Sequence, residues 1–322
     1  MFRSNILIYN FVGALFFSCQ SDPIVNCLDN NQNEINNIIN SPLEDFDSDG
    51  VINEFDKCHY SNSLFPVDTN GCMNLDSVQT SRNLNREQLE FENVTLYCNT
   101  GVFIAYGQSN AANSCECNEE TVSNQAYQYF QGETYRFNKT MIGTTGVNCS
   151  PWSVLATKLI DNNLYENVVF ANCAVGGRPL EQLNKGFNYY YLEENLKNMI
   201  LNFGKVDGIL FHQGEANHST VLGFDNYFND FNTFQEKIKI ISPETKIYLC
   251  RATYCNNYSD IDLIYIQNNI INSYDNVYAG PNTDELIDYR VDDCHLSKEG
   301  VVEFSNMFFE LIKNPINIVI NE

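Results

Sequence analysis

The chain has 322 residues and sets 41 acidic against 18 basic side chains, a formal charge of −23. So negative a surface repels nucleic-acid backbones and anionic lipid, which removes nucleic acid as a partner. Hydrophobic content of 43% and aromatic content of 13% are enough for one large core, with length left for a small module. Twelve cysteines with no Cys-x-x-Cys pair read as disulfides or buried thiols of an oxidising compartment, not as zinc ligands.

Residues 1–18 have one basic residue, Arg3, a short apolar run from Ile6 to Phe17, and Ser18 before Cys19, the layout of a secretory signal. Phe16-Phe17-Ser18-Cys19 resembles a bacterial lipoprotein signal, which implies a lipidated Cys19 and membrane contact only through that anchor. The place implied is the cell envelope or surface, with a plainly secreted protein as the alternative. No later stretch is apolar enough to span a bilayer. Residues 19–40 are Asn-rich and predict a flexible tether.

Residues 41–75 are the second informative stretch. Asp45, Asp47, Asp49, Asn53 and Asp56 place oxygens at positions 1, 3, 5, 9 and 12 of an acidic loop, with Val51 at position 7 and Gly50 at the sharp turn. Ca²⁺ takes six to eight oxygens, and such a loop supplies them. No helix is predicted before the loop, so a regular EF-hand is not expected. The stretch resembles a thrombospondin type 3 repeat through Asp56-Lys57-Cys58 and Val67-Asp68-Thr69-Asn70-Gly71-Cys72. The resemblance implies structural Ca²⁺ and a Cys58–Cys72 disulfide. Residues 76–96 are polar and read as a linker.

From about residue 97 the pattern alternates strands and helices, which predicts an α/β domain with a parallel sheet over 97–315. Strands are expected at 102–106, 168–175, 206–211, 246–252 and 277–280. Helices are expected at 153–159, 193–203, 227–241, 261–271 and 298–313. Residues 111–150, with Cys115, Cys117 and Cys149, read as a long polar insertion that shapes a binding site.

The chemistry centres on Val102-Phe103-Ile104-Ala105-Tyr106-Gly107-Gln108-Ser109-Asn110. A serine on a glycine turn at the end of a strand lifts its hydroxyl clear of the sheet. Far along the chain, Asp292-Asp293-Cys294-His295 puts a carboxylate three residues before a histidine. Ser109 as nucleophile, His295 as general base and then acid, and Asp292 as its orienter make a triad, with Asp293 the competing carboxylate. His212 and His218 do not form the His-Glu-x-x-His pattern of a zinc protease.

These blocks resemble the SGNH-type esterases, in their sialate O-acetylesterase and acetylxylan esterase branch. Gly107-Gln108-Ser109-Asn110 matches the nucleophile block. Ala174-Val175-Gly176-Gly177-Arg178-Pro179-Leu180 matches the second block, and Phe211-His212-Gln213-Gly214-Glu215-Ala216-Asn217 the third. The resemblance implies a three-layer α/β/α, flavodoxin-like parallel sheet. It also implies oxyanion N–H groups at Ser109 and Gly177, with Gln213 as a third donor. Gln108, Asn110 and Glu215 are expected to support the site, and Arg178 to contact the sugar or pair with an acid. The implied reaction removes O-acetyl groups from a carbohydrate, sialic acid or a polysaccharide, through an acyl-serine and without a catalytic cofactor. Two other readings are a surface carbohydrate-binding protein on a degenerate esterase fold and a lipase or thioesterase on the same scaffold. The complete Ser/Asp/His set speaks against the first, and the Gly-Gln-Ser-Asn block and polar insertion against the second.

Overall fold

The computed structural model describes residues 38, 41–62, 64–78, 80–82, 89–94, 99–218 and 224–320. The signal segment, Cys19 and all of the expected tether except residue 38 lie outside the described residues.

Seven strands form one sheet. They are β1 (Thr100–Gly107), β2 (Ala126–Phe130), β3 (Glu133–Arg136), β4 (Asn167–Asn172), β5 (Gly208–His212), β6 (Lys246–Arg251) and β7 (Val277–Asn282). Their order is β3-β2-β4-β1-β5-β6-β7. Every neighbouring pair is parallel except β2 with β3. Five longer helices accompany the sheet: α1 (Trp152–Asp161), α2 (Gly186–Phe203), α3 (Tyr227–Ile241), α4 (Ile261–Ser273) and α5 (Lys298–Lys313).

All eight residues of β1 are buried, as a central parallel strand covered on both faces requires. Alternate side chains serve different layers. Val102, Ile104 and Tyr106 join a core with Leu196 and Met199 of α2, Phe231 and Phe234 of α3 and Ile270 of α4. Phe103 and Ala105 join the opposite core with Trp152 and Leu155 of α1 and Phe304 and Phe308 of α5. The result is the expected three-layer α/β/α arrangement. Ser297 caps α5, its Oγ accepting the Gly300 N–H at 3.1 Å. Gly204 ends α2 in the left-handed conformation that favours glycine, its N–H on the Ile200 carbonyl at 2.8 Å.

The long insertion departs from the expected polar loop, because it contains the hairpin β2–β3 and extends the sheet beyond β4. Its polar residues misled the pattern. Gln128 lies fully buried in β2, satisfied by the Arg136 carbonyl and the Ile142 N–H. Disulfides join Cys117 to Cys149 and Cys255 to Cys294, while Cys115, Cys173 and Cys250 are buried free thiols.

The N-terminal stretch packs against this domain. Cys58 pairs with Cys72, as the repeat resemblance implied. Met73 and Leu75 enter the first core, and Phe65 sits edge-on to Phe187 of α2 at 5.4 Å. Lys57 reaches Glu133 of β3 at 2.7 Å. Residues 89–92 run beside β3 with hydrogen bonds from Glu92 N to Thr134 O and from Arg136 N to Glu90 O. An edge strand with open N–H and C=O groups is a pairing template, so this stretch, read from sequence as a linker, covers it.

Candidate active site

The carboxyl ends of β1, β4 and β5 meet on one edge of the sheet, where such folds bind ligands. Gly107 ends β1 at φ +130°. A Cβ there would lie 1.9 Å from the His212 carbonyl oxygen, so only glycine lets the strand finish against β5. The Gln108 N–H donates to that same carbonyl at 2.9 Å, and the Val175 N–H donates to the Gly107 carbonyl at 2.9 Å. The turn is thus tied to both flanking strands before the chain reaches Ser109. Behind it, Ala111 N and Ala112 N donate to the Gln108 carbonyl at 2.9 Å each. Trp152 Nε1 and Asn172 Nδ2 hold the Ala111 carbonyl at 2.7 and 2.9 Å.

Ser109 is nearly buried, and a Cβ on Gly176 would sit 3.8 Å from its Cβ. The second block therefore lies directly against the nucleophile candidate. Thr145 Oγ1 accepts the Gly176 N–H at 2.8 Å, and Thr144 Oγ1 donates to the Ala174 carbonyl at 2.9 Å. Gly177 has φ +67° with open space where a Cβ would be, so glycine is required there for conformation alone. Neither the Ser109 N–H nor the Gly177 N–H has a hydrogen-bond partner among the described residues.

His295 and Asp292 share a short loop closed by a bridge between Arg290 and Leu296. Asp292 Oδ2 lies 2.9 Å from His295 Nδ1, and Oδ1 accepts the N–H groups of Cys294 at 2.7 Å and His295 at 2.6 Å. Asp293 is exposed and makes no contact with the ring among the described residues. Partial burial pulls the Asp292 carboxyl upward. The hydrogen bonds from the His295 ring, the His295 N–H and the Cys294 N–H outweigh it and hold the carboxyl below the ordinary carboxylate value.

Asn110 joins this loop to the nucleophile turn. It is fully buried. Its Oδ1 accepts the Leu296 N–H at 3.0 Å, and its Nδ2 donates to the Cys294 carbonyl at 3.1 Å and to Glu215 Oε1 at 3.0 Å. One side chain beside Ser109 thus grips the residues on both sides of His295. Arg290 supports the same place, with Nη1 on the Cys294 carbonyl at 2.8 Å and Nη2 on the Thr283 carbonyl at 2.6 Å.

The third block is a brace. Gln108 Oε1 accepts from Gln213 Nε2 at 3.3 Å and from the Ala216 N–H at 3.2 Å. Gln213 Nε2 also meets Asn217 Oδ1 at 2.7 Å and the Arg178 carbonyl at 3.3 Å. Its two hydrogens therefore already serve three acceptors, whereas an oxyanion donor needs a free N–H. Glu215 is buried beside His212, whose Nδ1 is 3.5 Å away. Burial pushes the His212 ring below its ordinary value against the pull of Glu215, so His212 is a neutral packing group. Arg178 is exposed and donates to Gln182 Oε1 at 3.0 Å, not to an acid.

Arg82 carries no sequence signal and lies in the stretch read as linker. It is fully buried, with Nη1 on the carbonyls of Gly143 at 2.9 Å and Cys173 at 3.0 Å. It thereby joins the 143–145 segment to the strand that leads into the second block. Its guanidinium stands 4.7 Å from the Tyr191 ring centroid, and burial lowers its pKa from the ordinary arginine value.

The acidic loop forms a separate cluster. Asp45, Asp47 and Asp49 each place one oxygen within 4.8 Å of the others. Asp47 Oδ1 is buried with no hydrogen-bond partner among the described residues, which fits a cation-binding loop. Asn53, expected as a ligand, has its side-chain oxygen on the Phe46 N–H at 3.0 Å and its amide on the Ser41 carbonyl at 2.8 Å, so it braces the loop instead. Asp56 accepts from Cys58 N at 2.8 Å and lies 3.2 Å from His59 Nδ1. A Cβ on Gly71 would fall 2.0 Å from Asp56 Oδ1 and 3.1 Å from Asp49 Oδ2, so both carboxylates face that glycine.

Solved structures that share this fold include these two. A protein from Arabidopsis thaliana matches with a TM-score of 0.56 at 14% identity, over 67% of this chain and 98% of that one. The structure of NanS matches with a TM-score of 0.53 at 12% identity, over 66% of this chain and 96% of that one. No curated protein sequence matches the chain. A family model described as carbohydrate esterase, sialic acid-specific acetylesterase, covers residues 99–314. With that span holding the nucleophile turn, both supporting blocks and the Asp292–His295 loop, the chain belongs to this family of carbohydrate esterases.

Proposed function

We propose that the chain removes O-acetyl groups from a carbohydrate through an acyl intermediate on Ser109. The carrying observation is that Asp292 fixes both the backbone and the ring of His295, while Asn110 clamps residues 294 and 296 to the nucleophile turn. His295 takes the proton from Ser109 Oγ as that oxygen attacks the acetyl carbonyl. The tetrahedral oxyanion is received by the Ser109 and Gly177 N–H groups. On collapse, His295 returns the proton to the departing sugar oxygen. Water then repeats the cycle on the acyl-serine, with His295 as base and then acid. Asp292 remains ionised throughout and stabilises the imidazolium.

Gln213 acts in this scheme through position, by joining the first, second and third blocks. Donation to the oxyanion would require it to release Asn217 Oδ1. Arg178, exposed beside the second block, is the side chain offered to the sugar. The sialic acid-specific description of the matching family supports an O-acetylated sialic acid as substrate, with acetylated polysaccharide as the competing class.

In the N-terminal module, Asp45, Asp47, Asp49 and Asp56 would hold a structural Ca²⁺, with the Val51 carbonyl completing the set. The three disulfides among the described residues fit an extracytoplasmic protein. Attachment through a lipidated Cys19 is the finer form of that location.

The test is acetate release from O-acetylated sialic acid and from acetylated xylan, comparing wild type with Ser109→Ala. Release from one substrate, lost in the variant, supports the mechanism and selects the class. Release that survives the substitution removes it.

A further inference from the structure

The Asp292–His295 loop has little burial to hold it. The Asp292 side chain is 53% exposed and that of His295 29%. Residues 291–293 are exposed, and the loop is framed internally by the bridge between Arg290 and Leu296 and by the hydrogen bonds of Asp292 to residues 294 and 295. Such a loop stays in one geometry only if it is tied from outside.

The ties converge on Cys294, the residue between the acid and the base. Its N–H donates to Asp292 Oδ1, and its carbonyl accepts from both Asn110 Nδ2 and Arg290 Nη1. Its side chain is bonded to Cys255, 39 residues away in sequence. Cys255 lies on a loop that is itself fixed. Cys255 and Tyr258 exchange two backbone hydrogen bonds at 3.1 Å. Asp284 holds the N–H groups of Thr253 at 2.7 Å and Tyr254 at 2.9 Å. That loop follows directly from β6, so the disulfide links the catalytic loop to the sheet.

Its cysteines lie near the surface. Both Cys255 and Cys294 are partly exposed, as is the Cys117–Cys149 bond through its exposed Cys117, whereas Cys58 and Cys72 are buried; of the two accessible bonds, only Cys255–Cys294 ends on the catalytic loop. A partly exposed disulfide is open to thiol exchange.

We propose that the Cys255–Cys294 disulfide is a positioning element of the esterase site. It keeps Asp292 and His295 in register with Ser109, so its reduction lowers kcat while leaving the fold and KM largely in place. The proposal rests on the triad assigned above. In the reduction a dithiol supplies two electrons. Its thiolate attacks one sulfur to form a mixed disulfide, and its second thiol displaces the protein sulfur. Cys255 and Cys294 each leave carrying one proton, and the reagent becomes a cyclic disulfide. Asn110 and Arg290 still hold Cys294 after the bond opens, so the loop shifts without leaving. A displacement on the order of 1 Å costs about a hundredfold in rate, which places the expected loss at about 10- to 100-fold in kcat.

The experiment compares wild type with the double variant Cys255→Ser/Cys294→Ser on 4-nitrophenyl acetate. Expected are a kcat lower by about 10- to 100-fold, a KM within about twofold, an unchanged circular dichroism spectrum and no further loss with dithiothreitol. Wild type is also reduced, its free thiols alkylated and mapped by mass spectrometry, and a parallel sample reoxidised. Activity should fall as Cys255 and Cys294 are alkylated and return on reoxidation. This second arm decides the matter if the double variant does not fold. A double variant with kcat within twofold of wild type, or full activity with both thiols alkylated, overturns the proposal. Hydrolysis at the wild-type rate by Ser109→Ala would instead remove the triad on which it rests.

Discussion

Replacing Asn110 by alanine removes the one side chain that grips both neighbours of His295. Three buried hydrogen bonds are lost: to the Leu296 N–H, the Cys294 carbonyl and Glu215 Oε1. The Cys294 carbonyl keeps Arg290. The Leu296 N–H is left with no partner, and Glu215 Oε1 with only the His212 ring nitrogen at 3.5 Å, while its other oxygen already has no partner among the described residues. Each buried group left unpaired costs about 1–3 kcal/mol, so the folded domain should lose about 2–6 kcal/mol. The loop that carries the base is then free to drift, and a shift of about 1 Å is worth roughly a hundredfold in rate. The assay is urea denaturation followed by tryptophan fluorescence, with kcat on 4-nitrophenyl acetate measured well below the midpoint. A variant that loses less than about 1 kcal/mol and keeps kcat within twofold would refute the clamp.

Asp292 has a folded pKa depressed below its ordinary value, so it contributes stability at pH values above the unfolded carboxylate range. That contribution disappears as pH falls through the folded value. Asp292→Asn should abolish that acid-side loss in a melting series run from neutral pH down to about pH 3 and lower kcat by about 10²–10⁴. An unchanged acid profile would count against it. Asp47 is pushed up to about 6, chiefly by burial and further by Asp49 and Asp56, against hydrogen bonds from Ser61. Its folded pKa lies above the unfolded one, so the metal-free module is most stable with the proton on and loses that stability as pH rises through about 6. On the proposed calcium site, the ion would have to displace this proton, so calorimetric titration should show weaker binding at acid than at neutral pH, and equal affinities would remove Asp47 from the ligand set. Arg82→Met leaves the carbonyls of Gly143 and Cys173 without their guanidinium, so it should lower the unfolding free energy by about 2–6 kcal/mol and depress kcat through the second block. Stability within 1 kcal/mol of wild type would make Arg82 a bystander.

The central strands were legible because burial on both faces writes a nearly unbroken apolar run, as in Val102 to Tyr106 and Ile209 to Phe211. Helix α5 emerged at its observed limits, since Ser297 marks its start and Val301, Phe304 and Phe308 keep its period. Helix α2 begins seven residues before the expected Glu193, at Gly186. Its first turns are Phe187, Asn188, Tyr189, Tyr190 and Tyr191, whose intrinsic preference is not helical and which pack against neighbouring elements instead. The β2–β3 hairpin escaped notice because Gln128 occupies a core position through hydrogen bonds that no pattern reveals. Within the site, Ser109, Asp292 and His295 stand in blocks that can be read locally. Arg82, Thr145, Arg290 and the Cys255–Cys294 pairing cannot, because each acts on a partner distant in sequence. The donor role expected of Gln213 meets the same limit, since Asn217 Oδ1 comes within 2.7 Å of its amide only through the one-turn helix between them.

In the proposed triad the acid and base lie three residues apart, whereas the nucleophile precedes them by more than half the chain. Asp292 and His295 can therefore pair locally, but they reach Ser109 only when α5 docks, through Phe304 and Phe308, on Trp152 of α1. During synthesis this contact belongs to the last helix of the domain to emerge. On the proposed triad, a chain still being made would hold its serine without a base and would be inert toward esters. Hydrolysis would then begin only once the domain has closed, which would make the first burst of ester cleavage after dilution from denaturant a clock for the final folding step.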